Sequence, residues 1–128
     1  MELVKDAISW FEIPVTDFSR AKTFYQTIFD FEMPEMDMGP LKMGIFLYDR
    51  DQGGVGGAIC FGEGYQPAGN HGPKAYLNGG KDLNVVLNRV TEAGGTVVLP
   101  KTEIAPDMGF MAFFVDSEGN SVGLYSAH

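Results

Sequence analysis

The sequence predicts an α+β fold built from two copies of one βαβββ module, and three observations carry that expectation. An extended segment runs into an Asp that opens an amphipathic helix twice, at Asp17 and at Asp82. An apolar strand ends in Asp, a polar Gly turn and a Val-Gly strand start twice, at Asp49–Gly56 and at Asp116–Gly123. The matching landmarks lie 65 and 67 residues apart, so nearly the whole chain is a repeat, and a repeat is read before any single motif. Function is then expected where the copies face each other.

In chain order, residues 7–15 alternate as a strand: Ile8, Trp10, Glu12 and Pro14 share one face, and Ser9, Phe11, Ile13 and Val15 share the other. The second face is the more aliphatic and is predicted to pack on a helix. Asp17 is an N-cap candidate, and Phe18, Ala21, Phe24, Tyr25 and Ile28 recur at helical spacing to about Phe29. Strands are predicted near 31–36, 42–49 and 55–61. The Gly- and Pro-rich stretch 62–73 is the linker between modules at about 7–61 and 74–126, within a single domain of 1–128. The second module is predicted as a strand near 74–79, a helix from Asp82 with Leu83, Val86, Leu87 and Val90 inward, ending at Gly94-Gly95, and strands near 96–99, 109–115 and 121–126.

Composition narrows the function classes. A chain of 128 residues with 45% hydrophobic and 20% charged residues is a folded domain able to bury a core. A formal charge of −8 with nine scattered Lys and Arg argues against nucleic acid, whose backbone demands a basic surface. No apolar run approaches the roughly 20 residues that span a bilayer, and the opening Met1–Asp6 is too polar for a secretory signal. A cytoplasmic protein without membrane contact is expected. The lone Cys60 has no partner for an internal disulfide, which fits that compartment.

The run Ile8-Ser9-Trp10-Phe11-Glu12-Ile13-Pro14-Val15-Thr16-Asp17, then Ala21, Phe24-Tyr25, Ala93-Gly94-Gly95 and Asp116-Ser117-Glu118-Gly119-Asn120, resembles the vicinal oxygen chelate superfamily of glyoxalases, bleomycin-resistance proteins and extradiol dioxygenases. The resemblance covers almost the whole chain. It implies paired modules forming a curved mixed sheet with a concave cup for a ligand, often in a homodimer. It does not imply one activity, because many chemistries share this scaffold. Metal-using members carry His or Glu at inward positions of the first and last strands of each module. Here the resemblance places those positions on Trp10, on Ala75 or Lys74, on Gly56 and on Gly123, and none supplies an imidazole or carboxylate. His71 lies in the linker and His128 is the last residue, so neither restores the set. No metal and no other cofactor is expected.

What remains for the cup is aromatic and polar. Glu12 shares a face with Trp10, where a carboxylate either meets a cationic group or acts as a base; Trp10 either stacks on a planar ligand or plugs the vacated metal position. Tyr76 and Asn78 are the matching candidates in the second module. Cys60 falls on the face of Gly56 and Ala58 and is a cavity-lining candidate, although a lone Cys without a cationic partner reads first as a small buried hydrophobe. Met33, Met36, Met38, Met43, Met108 and Met111 are expected to fill the core or an adaptable cavity wall. Gly53-Gly54-Val55-Gly56-Gly57 lacks the Lys-Ser/Thr of a phosphate loop and opens a strand, so it reads as a turn. Three functions follow: a metal-independent binder of a small organic molecule of the bleomycin-resistance type; a metal-independent isomerase or lyase with Glu12 as general base and Tyr76 as hydrogen-bond donor; or an interaction module with a plugged cavity.

Overall fold

Both copies fold as the repeat predicts, in a computed structural model that describes residues 1–128. Copy one runs β1 (Phe11–Pro14), α1 (Phe18–Phe29), β2 (Glu35–Met38), β3 (Leu41–Ile45), a single 3-10 turn (Arg50–Gln52) and β4 (Gly57–Phe61). Copy two runs β5 (Tyr76–Asn78), α2 (Asn84–Leu87), α3 (Val90–Ala93), β6 (Thr96–Glu103), β7 (Phe110–Val115) and β8 (Ser121–Ser126). Each copy forms its own four-stranded mixed sheet, in the orders β1-β4-β3-β2 and β5-β8-β7-β6, with one parallel pair at β1/β4 or β5/β8. The architecture is the expected α+β fold of two paired modules, its strands divided into two mixed sheets because β1 and β5 each end a sheet and do not bond to one another.

Alternation along β1 sorts its faces as predicted. Ile13 and Val15 are 4% and 1% exposed and enter the core, while Trp10 and Glu12 stand on the open face. Helix α1 starts where Asp17 accepts a hydrogen bond from the Arg20 N–H at 3.0 Å, satisfying one of the free amides of the first turn. It stops at Asp30, whose left-handed backbone (φ 52°) turns its N–H back to the Gln26 carbonyl. Between these caps Phe18, Ala21, Phe24, Tyr25 and Ile28 form a buried stripe. Leu83, Val86 and Val90 of the second copy join the same core, so both modules share one apolar interior. Each such side chain contributes about 1.5–3 kcal/mol on leaving water.

Three expectations need revision. The helix predicted over 82–94 is two short helices, because at Asn88-Arg89 the chain tightens to an Arg89 N–H to Val86 carbonyl bond. Strand β6 continues past 99 to Glu103, carrying Pro100 at the sheet edge where a missing N–H is tolerated and the register shifts. Of the methionines only Met33 and Met43 are buried; Met36, Met38 and Met108 are exposed, the first two because β2 is an edge strand open at every residue.

One polar cluster ties the copies together. The turn Asp116–Asn120 of copy two lies against the start of α1 in copy one. Glu118 Oε1 accepts from the Thr16 N–H (3.0 Å), the Thr16 hydroxyl (3.0 Å) and the Asp17 N–H (2.8 Å), and Oε2 accepts from Arg20 Nε at 2.6 Å. The Asn120 amide donates to the Pro14 carbonyl at 2.8 Å, and the Tyr25 hydroxyl donates to Asp116 at 2.7 Å. Burial pushes the Glu118 carboxyl up, but the Arg20 guanidinium and the Asp17 and Thr16 donors outweigh it and hold the carboxyl at about 2. Burial and the adjacent Asp116 carboxylate push the Tyr25 phenol well above its ordinary range, so it stays a neutral donor. The equivalent turn in copy one, Asp49–Gly53, bonds only to itself: Asp49 accepts from the Gln52 N–H and its side chains are exposed.

A carboxyl held lower in the folded than in the unfolded state stabilises the fold above the unfolded value and loses that stabilisation as pH falls. For Glu118, stability is expected to drop between about pH 5 and pH 2, by roughly 3 kcal/mol from this group alone. Glu118→Gln should flatten that dependence and lower the pH 7 stability by about 2–3 kcal/mol, measured by urea unfolding across pH.

Candidate functional site

Because β1 and β5 do not pair, a slot runs between the modules, and it widens into a cavity at each end. The larger, about 430 Å³, is bounded by Phe11, Phe29, Phe31 and Phe46 of copy one and by Tyr76 and Leu77 of β5. Ten of its thirteen lining residues are hydrophobic, so it is an apolar chamber with Asn78 and Lys74 as its polar members. The smaller, about 360 Å³, lies at the clasped end, among Ile13, Pro14, Asn120, Ser121 and the linker residues Ala68 to Pro73, with His71 and Glu12 on its wall. The difference follows from the turns. Where Glu118 and Asn120 grip copy one, the matching positions across the repeat are Asp51, one methylene shorter, and Gly53, which has no side chain, and the position that matches Tyr25 in copy two is Val90, which has no hydroxyl. That end is left ungripped and apolar.

The sequence-predicted site residues fall into two groups. Trp10, Glu12 and Cys60 gather on the outer face of the first sheet. Trp10 Nε1 donates to Glu12 Oε2 at 3.3 Å and its ring meets Tyr48 edge-on at 6.3 Å. In the parallel register Glu12 lies beside Ala58 and Pro14 beside Cys60. Cys60 is fully buried, the place of a small hydrophobe, and lines neither of the two cavities. Burial and the nearby Glu12 carboxylate push its thiol up to about 12. The residue that covers it is Tyr65, from the linker, whose hydroxyl donates to Glu12 Oε1 at 2.7 Å. Sequence reasoning passed over Tyr65; its only signal is that it is the one large aromatic in a stretch of Gly, Pro and small polar residues.

Tyr76 and Asn78 form the second group, on β5 at the larger cavity. Leu77 is buried, so alternation turns Tyr76 and Asn78 to the outer face and Ala75 to the core side. Tyr76 stacks at 5.7 Å on Phe113, over which the Lys74 ammonium also sits, 4.1 Å from the ring centroid. The Asn78 carbonyl oxygen accepts from the Gly80 N–H at 2.9 Å, leaving its NH₂ free. The phenol that reaches Glu12 is that of Tyr65, and no hydrogen bond joins Tyr76 to it.

The positions at which the family resemblance would place metal ligands do not suit one here. A Cβ built on Gly123 would lie 2.7 Å from the Tyr76 ring, and one on Gly56 would lie 2.5 Å from the Tyr48 ring, so aromatic side chains fill the space a ligating carboxylate needs. No group of three His, Cys, Asp or Glu side chains converges anywhere in the chain.

Two βαβββ modules sharing a core, with a slot between their first strands, define a paired-module α+β protein. Comparisons with known proteins agree. The profile for the bleomycin resistance protein-like N-terminal region matches residues 8–44. A glyoxylase-like domain-containing protein of Didymella fabae is 31% identical over 117 residues, covering 89% of this chain and 88% of that one. The putative glyoxylase CFP32 of Mycobacterium tuberculosis is 30% identical over 125 residues, covering 94% of this chain and 45% of that one. The chain thus spans about half the length of the mycobacterial relatives it matches. TnmS3, an antibiotic binding protein from Streptomyces sp. CB03234, has the same fold, with a TM-score of 0.67 at 22% identity over 99% of this chain and 100% of that one. The chain belongs to the vicinal oxygen chelate superfamily, the group of glyoxalases and bleomycin-resistance proteins.

The Cys60 environment has a direct consequence. With its thiol raised to about 12 and no exposed surface, Cys60 should react with 5,5′-dithiobis(2-nitrobenzoic acid) on the order of a hundredfold more slowly in the folded than in the urea-unfolded protein. The absorbance of released thionitrobenzoate at pH 8 measures both rates.

Proposed function

We propose that this chain binds a small, largely apolar organic molecule in the larger cavity between its modules, without a metal. The observation that carries this reading is the chamber itself: about 430 Å³, four phenylalanines, and a small polar complement at Tyr76, Asn78 and Lys74. Small-molecule sites have this size and make-up, an apolar body with a few placed polar groups. The Asn78 NH₂ and the Tyr76 hydroxyl are the groups that would orient a ligand. The antibiotic-binding description of TnmS3 and the bleomycin-resistance profile support a binder over an enzyme. The net charge of −8 favours a neutral or cationic ligand. A homodimer, with the open sheet faces as contact surface, completes the proposal; light scattering should return twice the 14.0 kDa chain mass.

Titration with the neutral fluorescent probe N-phenyl-1-naphthylamine should show saturable binding at one site per chain. Ala75→Phe, which fills the chamber from β5, should weaken that binding at least about tenfold, or 1.4 kcal/mol. Absence of saturation, or indifference to Ala75→Phe, would refute the cavity as the site. Elemental analysis after dialysis should find far less than one equivalent of zinc, nickel, manganese or iron, and one retained equivalent would refute the metal-free reading.

A further inference from the structure

Glu12 carries an aromatic donor on each oxygen, and the two donors are held in different ways. Trp10 is two residues away along the same segment. Tyr65 arrives from the linker, 53 positions away in sequence, between Gly62 (φ 150°) and Gly64 (φ 91°), backbone conformations open to glycine. The side chain of Tyr65 rests on Met43, Ala58 and Cys60, which are 6%, 0% and 0% exposed, with Leu41 and Ile45 at the margin. Its ring therefore occupies a place with an apolar floor and a carboxylate oxygen 2.7 Å from its hydroxyl, the other oxygen of that carboxylate being held by Trp10.

That arrangement is the complement of one hydroxylated six-membered ring. We infer that the Trp10–Glu12 face is a second ligand site, for a small phenol, and that Tyr65 is its built-in occupant, displaced when such a ligand enters. The floor takes the ring by apolar burial. The Glu12 oxygen takes the phenolic hydroxyl in a charge-assisted hydrogen bond, which separates phenols from plain hydrocarbons of the same shape. Trp10 stays on the other oxygen and keeps the carboxylate oriented. The site is separate from the chamber between the modules, since neither Tyr65 nor Cys60 lines that chamber, so either site can fail without the other.

The chain supplies its own reporters, because Cys60 is its only cysteine and lies under the displaced ring. In Tyr65→Ala the open site should raise the rate of Cys60 modification by 5,5′-dithiobis(2-nitrobenzoic acid) at least about tenfold, and 4-methylphenol should slow it again in a saturable way. Toluene, the same ring without the hydroxyl, should protect at least about tenfold more weakly, the weight of one charge-assisted hydrogen bond. Adding Glu12→Gln to that background should narrow the gap between the two probes. Equal protection by toluene and 4-methylphenol, or protection by neither, overturns the proposal. If circular dichroism shows that Tyr65→Ala does not fold, Tyr65→Phe keeps the ring and removes the competing hydroxyl. It should then label faster at Cys60 and bind 4-methylphenol more tightly than the wild type, and an unchanged rate and affinity overturn the proposal.

Discussion

The grip of Glu118 on the first turn of α1 is the constraint on which the arrangement of the two modules depends. A helix start leaves free N–H groups that need acceptors, and in most helices a local side chain or water supplies them. Here Asp17 caps Arg20 from within, and the amides of Thr16 and Asp17 are met by a carboxylate about a hundred residues away. Removing it leaves donors without partners beside the core and leaves the Tyr25–Asp116 and Asn120–Pro14 bonds to hold the copies alone. Asp116 reinforces the hold from behind, accepting from the Glu118 and Asn120 N–H groups at 2.8 Å each, so the turn is rigid before it meets α1. Apolar packing between the helices glues the copies together, while this cluster sets their register.

Because only one of the two turns grips, the duplication is symmetric in topology and asymmetric in chemistry. The gripped end of the slot is the smaller cavity, with Asn120 and Ser121 on its wall; the free end keeps its aromatic walls. Tyr48 and Tyr76 lie over Gly56 and Gly123, so rings take up the space that a side chain at either glycine would need.

Much of this was legible in the residues. The α1 stripe, the sorting of Ile13 and Val15 from Trp10 and Glu12, and strand 121–126 all follow from local periodicity, which a sequence displays directly. The break at Asn88-Arg89 was hidden because helical spacing continues across it while the hydrogen bonds do not. The separation into two sheets was hidden because edge pairing is decided by how two modules dock. Among site residues, Trp10, Glu12, Tyr76 and Asn78 were named for their strand faces, and those faces are where they stand. Tyr65 escaped because its partner is 53 positions away and its surroundings read only as a flexible linker. Glu118 was noticed as part of a repeated turn, yet nothing local marks the turn as a clamp in one copy and an exposed loop in the other.

Strand β2 has a further bearing on how this protein behaves in company. Exposed at all four residues, Met36 and Met38 among them, and with unpaired backbone on its outer side, it is a surface onto which another chain's strand could add. Its guard is electrostatic. Glu35 holds Lys22 and Lys42 at the strand's start, and Lys42 also covers the Phe18 ring at 4.9 Å, so a docking strand must displace two solvated ammonium groups. Such a guard weakens with ionic strength, since surface ion pairs and the long-range repulsion of a −8 chain are both screened by salt. Concentrated, salty solutions are therefore where this edge would seed strand-to-strand aggregation, and dilute low-salt buffers are where the chain is best kept dispersed.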